Sequence, residues 1–269
     1  MTEADAIAAT PSPVTVATLR RDLRALGLGP GAVVIVHSSL RALGWVAGGA
    51  QAVVQALLEM VGDEGTVVMP TRSTHLTDPA GWSNPPVPAH WVPLLREALP
   101  AYDPYLTMTR DMGQIVECFR HHPATLRSTH PTVSFAANGA QAAALVGIHP
   151  LTPSLGEGSP LGRLYEADAL VLLLGVGHAN NTSLHLAEHR ATWASKANVS
   201  QGAPMLVDGE RRWVTYEDLE ARDDDFVLVG AAFGATGAER AGPVGAGTAR
   251  LMRQRDLVDF AVAWMTTHR

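Results

Sequence analysis

Cysteine, aromatic side chains and basic charge are all scarce in this chain. A single cysteine, Cys118, stands among 269 residues, so no internal disulfide and no thiolate-bound metal cluster is available to it, and a thiol packed in a core is what remains. Lys and Arg number 20 against 26 Asp and Glu, for a net charge of −6. That balance argues against a nucleic-acid partner and suits a cationic small molecule better. No apolar run approaches the ~20 residues of a membrane span, and the opening MTEADAIAATPSP has neither the basic start nor the apolar stretch of an export signal. The expectation is a soluble cytoplasmic protein with no membrane partner, either a monomer or a homodimer.

What is present is a hydrophobic content of 46%, enough for the core of one large domain. Short apolar runs alternate with helical patterns, which predicts an α/β fold on a mostly parallel sheet. Residues 1–13 read as a disordered tail and 14–269 as a single domain. A helix capped by Thr15 precedes a strand from Ala32 to Val36, which ends in His37-Ser38-Ser39-Leu40-Arg41; Gly48-Gly49 then open a second helix. A strand from Thr66 to Met69 is followed by a Pro- and Trp-bearing stretch, Thr71 to His90, that contains Asp78 and is long and polar enough to serve as a lid or substrate loop. Ser159-Pro160 carry the signature of a helix start. Alternating residues on both sides of Asp208-Gly209 predict a β-hairpin insertion near residues 204–216. An acidic run follows, Glu217 to Asp225, and a helix from Ala249 to His268 closes the chain.

The most informative stretch is Leu172 to Arg190. A buried strand closes at Gly175 and Gly177, and a polar cluster, Asn180 to Ser183, leads into a helix bearing His185, Glu188 and His189 at a strand's carboxyl end, where open α/β sheets place ligands. Three readings of His185 stand side by side. It is a histidine satisfied by its surroundings, or a metal ligand in the H-x-x-E-H pattern His185-Leu186-Ala187-Glu188-His189, or a general base. The residues alone leave all three open.

Several separated segments taken in order narrow the choice. Val36-His37-Ser38-Ser39-Leu40, Arg127-Ser128-Thr129-His130-Pro131, Gly158-Ser159-Pro160-Leu161-Gly162-Arg163, Leu172 to His178 and Asn181 to Glu188, with the GPVG-x-G-x-AR-L-M segment near the end, resemble the aminoglycoside 3-N-acetyltransferase family from about Val14 onward. The resemblance implies a three-layer α/β/α fold distinct from the GNAT acetyltransferases. It also implies acetyl-CoA as donor, direct transfer in a ternary complex, no metal, and His185 as the catalytic base. His189 is then a solvated or packing residue.

Chemistry supplies the other expected roles. An alkylamine is mostly cationic at pH 7, so a base must take a proton as nitrogen attacks the thioester. Thr182, at the helix start, is the side chain expected to stabilise the oxygen that gains charge. Glu188, three residues along the same helix, completes the expected catalytic set. Coenzyme contacts, leaning on the family, are expected from His37, Ser38, Ser39, Leu40, Ser159 and Arg163. Carboxylates complement a cationic acceptor, with Asp78, Glu220, Asp223, Asp224 and Asp225 as candidates. An acetyltransferase of this fold for a different amine, a zinc hydrolase on His185 and His189, and a non-catalytic drug-binding protein are the competing functions.

Overall fold

Alternation of apolar side chains decides where the sheet lies. Val34 and Val36 pack into one buried cluster and Val33 and Ile35 into another, the two-residue period of a strand covered on both faces. In the computed structural model, which describes residues 2–269, this strand is β1 (Val33–Ser38). It lies at the centre with β2 (Thr66–Pro70), β3 (Leu126–Arg127), β4 (Phe135–Gly139), β5 (Leu170–Leu174), β6 (Asn198–Val207), β7 (Glu210–Leu219), β8 (Arg240–Val244) and β9 (Gly247–Arg253) following along the chain. Seven strands form one sheet in the order β3-β4-β2-β1-β5-β9-β8. β1 runs parallel to β2 and to β5. Antiparallel strands β4 and β3 extend one edge, and β9 and β8 the other.

The helices are α1 (Glu3–Ala9), α2 (Val16–Leu26), α3 (Gly49–Val61), α4 (Val92–Ala98), α5 (Gly113–Arg120), α6 (Ala142–Val146), α7 (Pro160–Glu166), α8 (Leu184–Arg190), α9 (Phe226–Gly234) and α10 (Gln254–His268). Leu19 and Leu23 of α2, Leu57 of α3 and Phe119 of α5 cover one face. Leu145 of α6, Leu164 of α7, Leu186 of α8, Val229 of α9 and Val258 of α10 cover the other. The result is the expected three-layer α/β/α arrangement. No helix among the described residues is long and apolar enough to cross a membrane.

Two local expectations are corrected. Residues 3–9 form a helix rather than a disordered tail. Thr2 and Asp5 make a reciprocal capping box, Glu3 accepts a 3.1 Å hydrogen bond from the Trp45 indole, and the Thr10 hydroxyl accepts from the Trp45 amide at 2.9 Å. The last helix begins at Gln254 rather than at Ala249, because residues 240–253 fold as a hairpin, β8–β9, turning at Gly245 with φ 61°. Leu251 therefore packs from a strand, with Ala249 on the same side and Met252 on the other.

The hairpin β6–β7 is longer than the sequence pattern indicated but turns where expected. Asp208 and Gly209 have φ of 53° and 80°, the left-handed pair that a two-residue type I′ turn requires. The hairpin leans on the long loop before α5: the Tyr102 amide donates to Pro204 O at 3.0 Å, and Arg211 Nε donates to Leu99 O at 3.0 Å. Its base reaches back to the body, where the Asp218 carboxylate accepts from the Ser154 amide at 3.1 Å.

Candidate active site

β5 ends at Leu174, and the chain passes through a short 3-10 turn, His178–Asn180, before α8. The Asn180–Ser183 cluster builds this approach instead of capping the helix with a hydroxyl. Asn181 Oδ1 accepts from the Ser183 amide at 3.2 Å, and the Ser183 side chain caps nothing. Buried His178 fixes the turn by donating from Nε2 to Glu239 at 2.7 Å and by accepting from Asn181 Nδ2 at 3.4 Å. It packs against Gly230 of α9, where an added Cβ would lie 2.1 Å from the imidazole.

One turn along, His185 Nδ1 lies 2.5 Å from Glu188 Oε2. A carboxylate can only accept, so the proton sits on Nδ1 and the Nε2 lone pair is free. Glu188 is fixed in turn: its Oε1 accepts from the Arg222 amide at 2.9 Å and from Arg269 Nη1 at 2.7 Å. Arg269 is anchored to Asp225 through Nε at 2.8 Å and Nη2 at 2.6 Å. Burial pushes His185 below its ordinary value of 6.5; Arg72 lowers it further, and the Glu188 hydrogen bond partly opposes the shift. Burial alone would raise Glu188, but hydrogen bonds from His185, Arg269 and the Arg222 amide leave it lowered. The pair is therefore a neutral imidazole beside an ionised carboxylate, an arrangement able to accept a proton at Nε2.

His185 is only 4% exposed, yet it lines open space. A cavity of about 320 Å³ is bounded by His185, Thr182, Asn181, Arg72, His37 and Asp223. Ser38, Met112, Val176 and Asn180 also border a groove of about 840 Å³, lined further by Ser39, Leu40, Arg41 and Trp45, so the two spaces adjoin through a shared wall. The α1 residues Glu3 and Ala6 form the groove's outer side. On the far side of His185 a smaller cavity of about 140 Å³ is lined by His189, Tyr216 and Asp218.

The expected site residues sort by this geometry. His185, Glu188, Thr182, Ser38, Ser39, Leu40 and Asp223 are at the cavities or in direct contact with His185. His37 lines the inner cavity with Nε2 lacking any hydrogen-bond partner, and burial drives it to a pKa of about 3, so it is neutral there. Ser159 and Arg163, expected at the coenzyme, border neither of these cavities. Ser159 caps α7 by accepting from the Leu161 amide at 3.1 Å, and Arg163 ties down the carbonyls of Leu145, Ile148 and Gly158. Asp78 is likewise occupied, accepting from the Ala80 amide and pairing with Arg96 at 2.7 Å. Glu220 pairs with Arg222 at 3.0 Å, Asp225 is the Arg269 anchor, and Asp224 points to solvent away from both cavities.

Sequence reasoning missed Arg72 and Arg269. Arg72 had an available signal, because it stands two residues beyond the carboxyl end of β2, the sheet position where the other site residues collect. Arg269 had none: its contact with Glu188 is made across 81 residues. Among the described residues, no three His, Cys, Asp or Glu side chains are grouped to hold a metal ion.

A carboxylate-held imidazole thus lines a small cavity that adjoins a larger groove, on a three-layer α/β/α frame. The family model described as aminoglycoside 3-N-acetyltransferase matches residues 35–266. A Bacillus subtilis relative, the SPbeta prophage-derived aminoglycoside N(3')-acetyltransferase-like protein YokD, is 47% identical over 96% of this chain and 94% of its own length. Aminoglycoside N(3)-acetyltransferase VII of Streptomyces paromomycinus is 39% identical over 94% of this chain and 92% of its own. The crystal structure of YokD superposes with a TM-score of 0.94 at 46% identity, covering 97% of this chain and 96% of that one. The CoASH binary complex of AAC-IIIb superposes with a TM-score of 0.84 at 33% identity, covering 95% and 97%. The chain belongs to the aminoglycoside 3-N-acetyltransferase family.

Proposed function

We propose that the chain transfers the acetyl group of acetyl-CoA directly to the 3-amino group of an aminoglycoside, with His185 as general base. The observation that carries this reading is a carboxylate-held imidazole that lines a cavity adjoining a groove of about 840 Å³. A relative of known structure forms a binary complex with CoASH, and the groove is the space assigned here to the donor. Ser38, Ser39 and the backbone around Leu40 line it, and Arg41 is the cation positioned toward a phosphate. The acceptor enters the cavity bearing Asp223, where a carboxylate free of any ion pair complements an ammonium group. Nε2 takes the proton as nitrogen attacks, while Glu188 holds the ring and stabilises the imidazolium that forms.

The test is a panel of aminoglycosides and simple amines incubated with acetyl-CoA, read by free-thiol release and by mass spectrometry of the product. Acetylation at the 3-amino group is the expected outcome; turnover of simple amines alone would move the acceptor outside the aminoglycosides. Within the panel, Asp223→Asn is expected to raise KM for a polycationic acceptor about tenfold, the equivalent of one charge-assisted contact. Asp225→Asn should instead lower thermal stability, because Asp225 is bound to Arg269.

The pH dependence follows from the direction of the His185 shift. A base must be unprotonated to act, and His185 loses its proton below its ordinary 6.5. The acid limb of kcat is therefore expected below pH 6.5, with the rate rising as pH increases and His185 becomes neutral. A limb centred above pH 7 would contradict the assignment.

A further inference from the structure

Two arginines, Arg72 and Arg110, line the cavity at the base without a use in the proposed reaction, and of the two Arg110 is paired with Asp111 at 3.6 Å while Arg72 is not. The Arg72 guanidinium lines the same cavity as His185. It belongs to none of the ion pairs among the described residues, and Asp223 acts on it through space without a hydrogen bond. Its single side-chain hydrogen bond is from Nη2 to Thr182 Oγ1, at 3.3 Å. A partly buried cation with no bonded carboxylate carries a desolvation cost unless a ligand supplies negative charge. The expected acceptor supplies the wrong sign, since a polycation is repelled by Arg72. Negative charge in this reaction appears at one place, the carbonyl oxygen of the thioester.

The backbone holds Arg72 firmly in position. Its carbonyl accepts from the Arg110 amide at 2.9 Å. On either side, the Thr71 carbonyl and hydroxyl and the Ser73 hydroxyl are engaged by Arg127. The Thr182 hydroxyl accepts from Arg72, which leaves its own hydrogen free, and Nη2 retains a second N–H. Two donors 3.3 Å apart both come within hydrogen-bond reach of a single oxygen lying about 2.7–3.1 Å from each, the spacing an oxyanion site needs.

We propose that Arg72, paired with Thr182, is a further catalytic residue that binds the thioester oxygen and stabilises it as it becomes negative. The inference rests on the donor assignment made above. As the amine nitrogen forms its bond to the carbonyl carbon, the C=O π pair moves onto oxygen, between Arg72 Nη2 and Thr182 Oγ1, and His185 Nε2 takes the proton from nitrogen. The oxyanion then re-forms the carbonyl, the C–S bond breaks, and the thiolate leaves with the proton that His185 returns.

Binding and turnover test this together. Carboxymethyl-CoA has a CH2 in place of the acetyl-CoA carbonyl carbon and a carboxylate one atom further from sulfur, which offers an anionic oxygen to the donors expected to hold the carbonyl oxygen, and calorimetry compares it with CoA. The wild-type protein is expected to bind carboxymethyl-CoA at least tenfold more tightly than CoA. Arg72→Gln should abolish that preference with CoA affinity unchanged, and lower kcat about 10²–10³-fold with KM for acetyl-CoA within twofold. Arg72→Lys, which keeps the charge but loses the fork, should recover part of both. Equal preference in wild type and Arg72→Gln, or a raised acceptor KM at unchanged kcat, overturns the role of Arg72 and leaves the donor reading intact. Failure of the wild-type protein to bind CoA at all overturns both.

Discussion

His185→Gln is expected to lower kcat by about 10²–10⁴-fold, the usual contribution of a positioned general base, while the affinity for CoA stays within twofold. Gln keeps a donor for Glu188 but has no nitrogen able to take a proton at the Nε2 position, so the substitution removes the chemistry and spares the packing. Buried Phe226, whose ring centroid lies 4.9 Å from that of His185, still bounds the side chain. The groove walls formed by Ser38, Ser39 and Trp45 are contributed by other elements. Steady-state kinetics with acetyl-CoA and calorimetry with CoA give the two readouts. A variant that keeps near-normal kcat would move the proton acceptor elsewhere.

Glu188→Gln is expected to produce two losses with a common origin. The carboxylate selects the Nδ1–H tautomer of His185 and stabilises its protonated form, so kcat should fall at least about 10²-fold. Glu188 also accepts charged hydrogen bonding from Arg269, and both side chains are buried, at 1% and 7% exposure. Weakening a hydrogen bond to a charged group costs about 1.5–3 kcal/mol, while Arg269 retains Asp225, so the variant should remain folded with a lowered melting temperature. The pH profile distinguishes positioning from packing. Glu188 raises the proton affinity of His185, so its loss should move the acid limb of kcat to still lower pH. A merely structural Glu188 would cost stability and leave that limb in place.

The legible parts of the fold were those with strong local signals. Val33 to Val36 and Leu170 to Leu174 are apolar runs that end at polar or glycine residues, and both are central strands. Asp208-Gly209 announced its hairpin because that dipeptide meets the turn's left-handed requirement directly. The β8–β9 hairpin was hidden because Ala249-Arg250-Leu251-Met252 contains no β-branched residue and suits a helix equally well; pairing with β5 decides it. α1 was hidden because Trp45, which holds it, lies far along the chain. Within the site, His185 and Glu188 were readable because a spacing of three on a helix brings side chains together. The acids were readable as acids, but not their partners. Asp78, Glu220 and Asp225 are each taken by an arginine, and of the acids expected to meet the acceptor Asp223 is the one that lines the cavity.

Gly230 gives the molecule a sensitive point with no reactive group at it. Because the His178 ring occupies the space where a methyl group would sit, even an alanine on α9 would force the neighbouring turn outward and carry Asn181 and Thr182 with it. A substitution at Gly230 would therefore disturb the approach to α8 while leaving every acid and base of the site in the sequence.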